Sequence, residues 1–140
     1  MDNLFVPYEI ALELKAKGFN EECFAYWAFA NNKKDLYYII PYEMGSSNND
    51  PCKGDCTAPT HQQVIDWFRE EHNIEIFINS NLLSSTPIKG HITNELKRDY
   101  RYYNFKIQKY DSLYNLKNGD GIPTYYEALN NTIEEALKLI

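Results

Sequence analysis

The residues best suited to chemistry in this chain of 140 residues are two cysteines and a histidine that follow one another closely. Three residues separate Cys52 from Cys56, and four residues separate Cys56 from His61. Thiolate and imidazole groups at such spacing can hold a structural zinc ion, which takes four ligands. His72 lies about 16 Å further along a helix axis, so the fourth ligand would have to be an aspartate of the same loop. The alternative is two solvent-facing cysteines in a polar loop that bind nothing.

Other reactive side chains lack the neighbours that catalysis requires. Cys23 has no histidine near it in sequence, so we expect it to pack as a small apolar residue and not to act as a nucleophile. The adjacent acids Glu70 and Glu71 diverge by about 100° on a helix and do not share a site. The segment "NGDG" at 118–121 lacks the lysine and the serine or threonine of a phosphate-binding loop. No catalytic residue and no cofactor is therefore assigned, and enzymatic activity stays an open question.

Charge and hydropathy restrict the classes of partner. The net charge of −6 and the isoelectric point near 5.0 disfavour nucleic acid, which is bound through clustered lysine and arginine. The one basic cluster, Lys97, Arg98 and Arg101, is interrupted by Asp99. No stretch approaches the ~20 apolar residues of a membrane-spanning helix, and Asp2 stands where a signal peptide carries positive charge. We expect a cytoplasmic protein with reduced thiols and no membrane partner.

Three segments have the apolar periodicity of helices. The first, 7–17, starts at Pro7 and ends before Gly18. The second starts at Thr60, where Gln63 completes the sequence pattern of a capping box, and its apolar stripe contains Val64, Trp67 and Phe68. The third starts at Thr124, with Glu127 as the capping partner. We expect Trp67 and Phe68 to anchor the middle helix onto a sheet.

Four segments have the composition or the alternation of strands. "CFAYWAF" and "LYYIIPY" predict a hairpin, and "IEIFIN" and "YRYYNFKIQKY" predict two further strands. The segments 43–57 and 80–99 predict irregular loops. The predicted fold is therefore a single α+β domain, 1–140, in the order αββαββα, with a mainly antiparallel four-stranded sheet and three helices on one of its faces.

Aromatic residues suggest where such a domain would bind. They make up 15% of the chain and include twelve tyrosines. If the helices cover one face of the sheet, Tyr37, Phe77 and Tyr102 point outward and form an exposed aromatic surface. Such a surface is typical of a protein interface or of self-association. The alternative is that the loops 43–57 and 80–99 fold over that face.

Several segments resemble a family of small uncharacterised proteins of Bacteroidetes and their phages. They are "FVPYEIALELKAKGF", "CFAYW", "APTHQQVIDWFREEHNIEI" and "PTYYEALNNTIEEAL", and together with their surroundings they cover about two thirds of the chain. Members of that family look like "PYEIALKLKELGF", "CFAYY" and "APTWQQAFDWFREKYN", so His61 stands where they have an aromatic residue. The resemblance implies no activity, cofactor or catalytic residue. Its phage and prophage setting implies a small accessory protein.

Two hypotheses follow from these observations. The first is a small intracellular interaction or regulatory module, linked to phages, that binds a partner protein or itself through the aromatic sheet face. The second is a small metal-binding domain or enzyme that uses the loop of Cys52, Cys56 and His61.

Overall fold

The chain folds into an α+β arrangement of three α-helices and two antiparallel sheets. The computed structural model describes residues 2–30, 33–38, 47–49, 55–83, 100–109 and 115–140, and the findings below refer to these. After a short 3-10 helix at Asp2–Leu4, the elements in chain order are α1 (Tyr8–Ala16), β1 (Ala25–Ala30), β2 (Lys33–Tyr38), β3 (Cys56–Thr57), α2 (His61–His72), β4 (Ile74–Leu83), β5 (Tyr100–Lys109), β6 (Asn115–Ile122) and α3 (Tyr125–Leu137).

The helix ends follow local sequence signals. The predicted capping box of α2 is confirmed: the Thr60 hydroxyl accepts from the Gln63 backbone N–H at 3.3 Å, and the Gln63 side chain accepts from the Thr60 N–H at 3.0 Å. At α3 only half of the box is present. The Thr124 hydroxyl accepts from the Glu127 backbone N–H, but the Glu127 carboxylate accepts from the Thr124 hydroxyl and not from the Thr124 backbone N–H. Asn73 ends α2 in the left-handed conformation, with φ 55°.

The single four-stranded sheet is not confirmed, because the strands divide between two three-stranded antiparallel sheets. The first has the order β2-β1-β3, with Tyr26 opposite Tyr37 and Trp27 opposite Cys56. The second has the order β4-β5-β6. The two-residue strand β3 pairs with Tyr26 and Trp27 on the side of β1 that β2 leaves open, and no pairing among the described residues joins β1 or β2 to β4. Each hairpin therefore forms its own sheet.

The predicted loops are shorter than expected where the structure describes them. Within the segment 43–57, Cys56 and Thr57 form β3, and within 80–99 the strand β4 continues to Leu83. The turn-like sequence "NLKNG" lies inside β6, whose pairing with β5 is interrupted by register shifts. Residues 39–46, 50–54 and 84–99 lie outside the described residues, and so does most of the basic cluster at 97–101.

The main apolar core joins the helices to both sheets. In the second sheet, Ile74, Ile76, Phe105 and Ile107 are buried and belong to the same core as α2 and α3. Phe77, on the alternate face of β4, is exposed. Helices α2 and α3 therefore cover one face of this sheet. Within the part of the chain that is described, no helix is long and apolar enough to cross a membrane.

Candidate functional site

The cysteine predicted to lie in a solvent-facing loop is instead buried. Cys56 lies in β3 with 2% of its surface exposed, so the expectation of two solvent-facing cysteines is wrong for this residue. Burial raises the pKa of the Cys56 thiol to about 12. A thiol that stays protonated is a poor nucleophile. Cys52 lies outside the described residues.

His61 serves as a connector between three segments of the chain. Its side chain is buried, Nδ1 lies 3.1 Å from the Leu4 carbonyl oxygen, and Nε2 lies 2.8 Å from Oδ1 of Asn130. Both ring nitrogens therefore have partners, and neither is directed at Cys56. No three histidine, cysteine or acidic side chains come together as metal ligands within the described ranges. His61 thus ties the N-terminal segment and α3 to the start of α2.

Cys23 is part of the apolar core. It has no exposed surface and packs in the main core cluster, as expected for a small apolar side chain. Burial raises the pKa of its thiol to about 11. A nucleophilic role for Cys23 has no support in this environment.

The three aromatic residues predicted to form one surface are distributed over both sheets. Tyr37 on β2 is 40% exposed and stacks on Tyr26 with 5.5 Å between ring centroids. Phe77 on β4 is 42% exposed, and Tyr102 on β5 is half-buried opposite Asn81. Phe77 and Tyr102 share the sheet face that α2 and α3 leave uncovered. They are separated along it by four residues of β4, or about 13 Å at 3.3 Å per residue.

A surface depression of apolar character lies between α2 and α3 in the described structure. It has a volume of about 240 Å³. At its rim, Leu4, Tyr125 and Tyr126 are 53%, 45% and 42% exposed. We call it the aromatic cleft, and its lining is completed by Thr60, His61, Gln62, Ile65 and Leu129. Large apolar side chains with this exposure are typical of binding surfaces.

The aromatic side chains of the cleft are held by contacts among themselves. The ring centroid of Tyr125 lies 5.7 Å from those of both Tyr103 and Tyr126, and Tyr126 lies 5.8 Å from the His61 ring. The hydrogen bond from His61 to Asn130 fixes α3 next to α2 behind them. The cleft is therefore formed before any partner arrives, which lowers the entropy that binding costs.

The opposite side of α2 carries a smaller and acidic depression of about 130 Å³. We call it the acidic depression, and it is lined by Glu21, Gln63, Asp66, Trp67, Glu70 and Glu71. Arg69 donates to Asp66 at 2.8 Å and to Glu75 at 2.7 Å, so this arginine is shared between two carboxylates. The net charge of the acidic depression therefore stays negative.

The end of α2 contains a titratable side chain with a stability effect of its own. Burial lowers the pKa of His72, with a smaller opposing effect of Glu71, and its buried Nε2 has no hydrogen-bond partner among the described residues. Its ring lies 4.5 Å from that of Trp67. Protonation would place a charged N–H in a site that offers it no acceptor.

We therefore expect the His72 contribution to stability to be complete above the ordinary pKa of 6.5 and to be lost as the pH falls below it. The unfolded chain binds this proton more readily than the folded chain, so stability rises with pH in that window. Urea unfolding between about pH 6.5 and 5.5 should show a shallower pH slope for His72→Gln than for the wild type. Parallel slopes for the two proteins would contradict the assignment.

Comparison of the chain with protein families, with curated proteins and with solved structures finds no match.

Proposed function

We propose that this protein is an interaction module that binds a partner protein through the aromatic cleft. The observation that carries the proposal is the exposure of Leu4, Tyr125 and Tyr126 around a preformed depression. Tyrosine is enriched among the residues that dominate binding energy at protein interfaces. Its ring supplies a large contact area, and its hydroxyl tolerates water before the partner binds.

The lining of the cleft favours binding over catalysis. Its described residues include no carboxylate and no thiol, and both nitrogens of His61 are already engaged. General acid–base chemistry is carried most often by a histidine or a carboxylate, and the one histidine of this lining is engaged on both nitrogens. The acidic charge of the chain supports a protein partner over nucleic acid.

We further propose that the protein is a small accessory protein inside a bacterial cell. The resemblance to proteins of Bacteroidetes and their phages supports this setting, and a regulatory role toward a host protein is consistent with it. A second copy of the chain is the alternative partner, through Tyr37, Phe77 and Tyr102 on the two sheets. Light scattering distinguishes these cases, because self-association through the sheets would be concentration-dependent and weakened by Tyr102→Ala.

The test of the proposal pairs two equivalent substitutions. Leu4→Asp introduces a charge at the rim of the aromatic cleft, whereas Leu12→Asp introduces the same charge on α1, where Leu12 is 37% exposed and outside the cleft. Proteins retained from a lysate of the native host by the wild-type chain are identified, purified and titrated against all three proteins by calorimetry. We expect Leu4→Asp to weaken binding by at least about tenfold and Leu12→Asp to leave it unchanged.

Two results would overturn the proposal. One is a purified partner that binds wild type and Leu4→Asp equally well. The other is the absence of any retained protein that binds the purified chain directly. Circular dichroism melts of both variants establish that a loss of binding is not a loss of fold.

A further inference from the structure

We infer that the partner's binding segment carries a lysine or arginine about two to four residues away from the bulky apolar side chain that enters the aromatic cleft. This inference rests on the proposed function and specifies its partner. The placement of the two depressions around α2 supports the inference. Gln62 and Ile65 line the aromatic cleft, whereas their neighbours Gln63 and Asp66 line the acidic depression. The two depressions therefore flank the same exposed ridge of this helix.

Charge complementarity identifies the chemistry of the second contact. Four carboxylates line the acidic depression: those of Glu21, Asp66, Glu70 and Glu71. Of these, Asp66 is paired with Arg69, and Arg69 also pairs with Glu75. A cationic side chain in the depression would meet the remaining negative charge, and the chain as a whole carries −6. These side chains do not form a metal site in the described structure, and a cationic side chain is complementary to their charge.

The width of α2 determines the spacing between the two contacts. A segment that crosses the helix spans about 10 Å, which is the diameter of a helix with its side chains. An extended chain covers about 3.3 Å per residue and its side chains alternate between two faces, so an apolar anchor and a cation that both face α2 lie about two to four residues apart. Gln62 donates a hydrogen bond to Asp66 along the ridge at 3.0 Å, and the two side chains present a polar surface to the residues between.

The two contacts have different roles. The aromatic cleft removes apolar surface from water and supplies most of the affinity. The acidic depression is exposed, so its ion pairs add little affinity, but they attract basic partners and fix the direction of the segment across α2. Added salt should therefore weaken binding without abolishing it.

The experiment is a selection of short randomised peptides displayed on a carrier and captured by the wild-type protein. Enriched peptides are synthesised and titrated by fluorescence anisotropy against wild type, Leu4→Asp, a Glu70→Lys/Glu71→Lys double variant, and Glu134→Lys as the control. Glu134 is exposed on α3 and lies outside both depressions. We expect enriched peptides to pair a bulky apolar residue with a lysine or arginine about two to four positions away.

For such peptides, we expect the double charge reversal to weaken binding by about tenfold, because two lysines repel the peptide's cation where two carboxylates attracted it, and Glu134→Lys to have no effect. Peptides that require Leu4 but contain no enriched basic residue, and that bind the double variant normally, would overturn the inference and leave the proposed function intact. Peptides that bind Leu4→Asp as tightly as wild type would overturn the proposed function itself. A selection that yields no binding peptide would count against both.

Discussion

Truncation of Trp67 to alanine is expected to lower the free energy of unfolding by about 3 to 5 kcal/mol. Trp67 is 6% exposed, and its ring lies 5.4 Å from that of Phe19 and 5.1 Å from that of Phe68. It therefore joins α2 to the segment that follows α1. Alanine would leave a cavity that rigid neighbours on both sides cannot fill. Urea denaturation followed by circular dichroism measures the change.

The matched control for Trp67→Ala is Glu70→Ala on the same helix. Glu70 is exposed, and its substitution is expected to change stability by no more than about 0.5 kcal/mol. Trp67→Phe retains part of the buried ring and should have an intermediate stability, which keeps the comparison usable if the alanine variant does not fold. A wild-type melting temperature for Trp67→Ala would show that this ring does not anchor the helix.

The helices could be predicted because their determinants are local in sequence. Thr60 and Gln63 lie three positions apart, and this spacing alone places their side chains on each other's backbone N–H groups. The recurrence of Val64, Trp67 and Phe68 likewise identifies the buried face of α2. Such patterns can be recognised without knowledge of the rest of the fold.

The division into two sheets could not be predicted, because strand pairing depends on residues far apart in the chain. Strand β3 has only two residues, Cys56 and Thr57, which is too short for any alternation to be visible. Its pairing with Trp27 and Tyr26 nevertheless buries Cys56. In β6, Gly119 and Gly121 are residues typical of turns, yet the backbone there pairs with β5 around register shifts.

The aromatic cleft cannot be predicted from the sequence for a related reason. Leu4, Ile65 and Tyr126 belong to three separate segments, and no sequence pattern relates them. Tyr125 and Tyr126 stand in the first turn of α3, ahead of its apolar stripe, so periodicity alone gives them no role. The one available signal was the placement of two adjacent tyrosines directly after the helix cap. Exposed aromatic residues were predicted on the sheets, where Tyr37 and Phe77 do lie, but not between the helices.

Replacement of His61 by leucine is expected to lower the free energy of unfolding by about 2 to 4 kcal/mol, because it leaves two polar groups without partners. The Leu4 carbonyl loses its donor at 3.1 Å, and the Asn130 side chain loses its contact at 2.8 Å. Leucine has a similar volume, so the loss reports mainly on hydrogen bonding and not on a cavity. Chemical denaturation at fixed neutral pH measures the loss.

A double-mutant cycle with Asn130→Ala separates this connection from a general effect of the substitution. If His61 and Asn130 stabilise the fold through each other, the effects of the two substitutions should fall short of additivity by about 0.5 to 3 kcal/mol. The dependence of stability on zinc separates the structural role of His61 from a role as a metal ligand. A ligand that binds only the folded chain raises its stability, so a zinc-dependent rise in melting temperature that His61→Leu abolishes would favour the metal site. We expect zinc and a chelator to leave the melting temperature unchanged, since both imidazole nitrogens are already committed to Leu4 and Asn130.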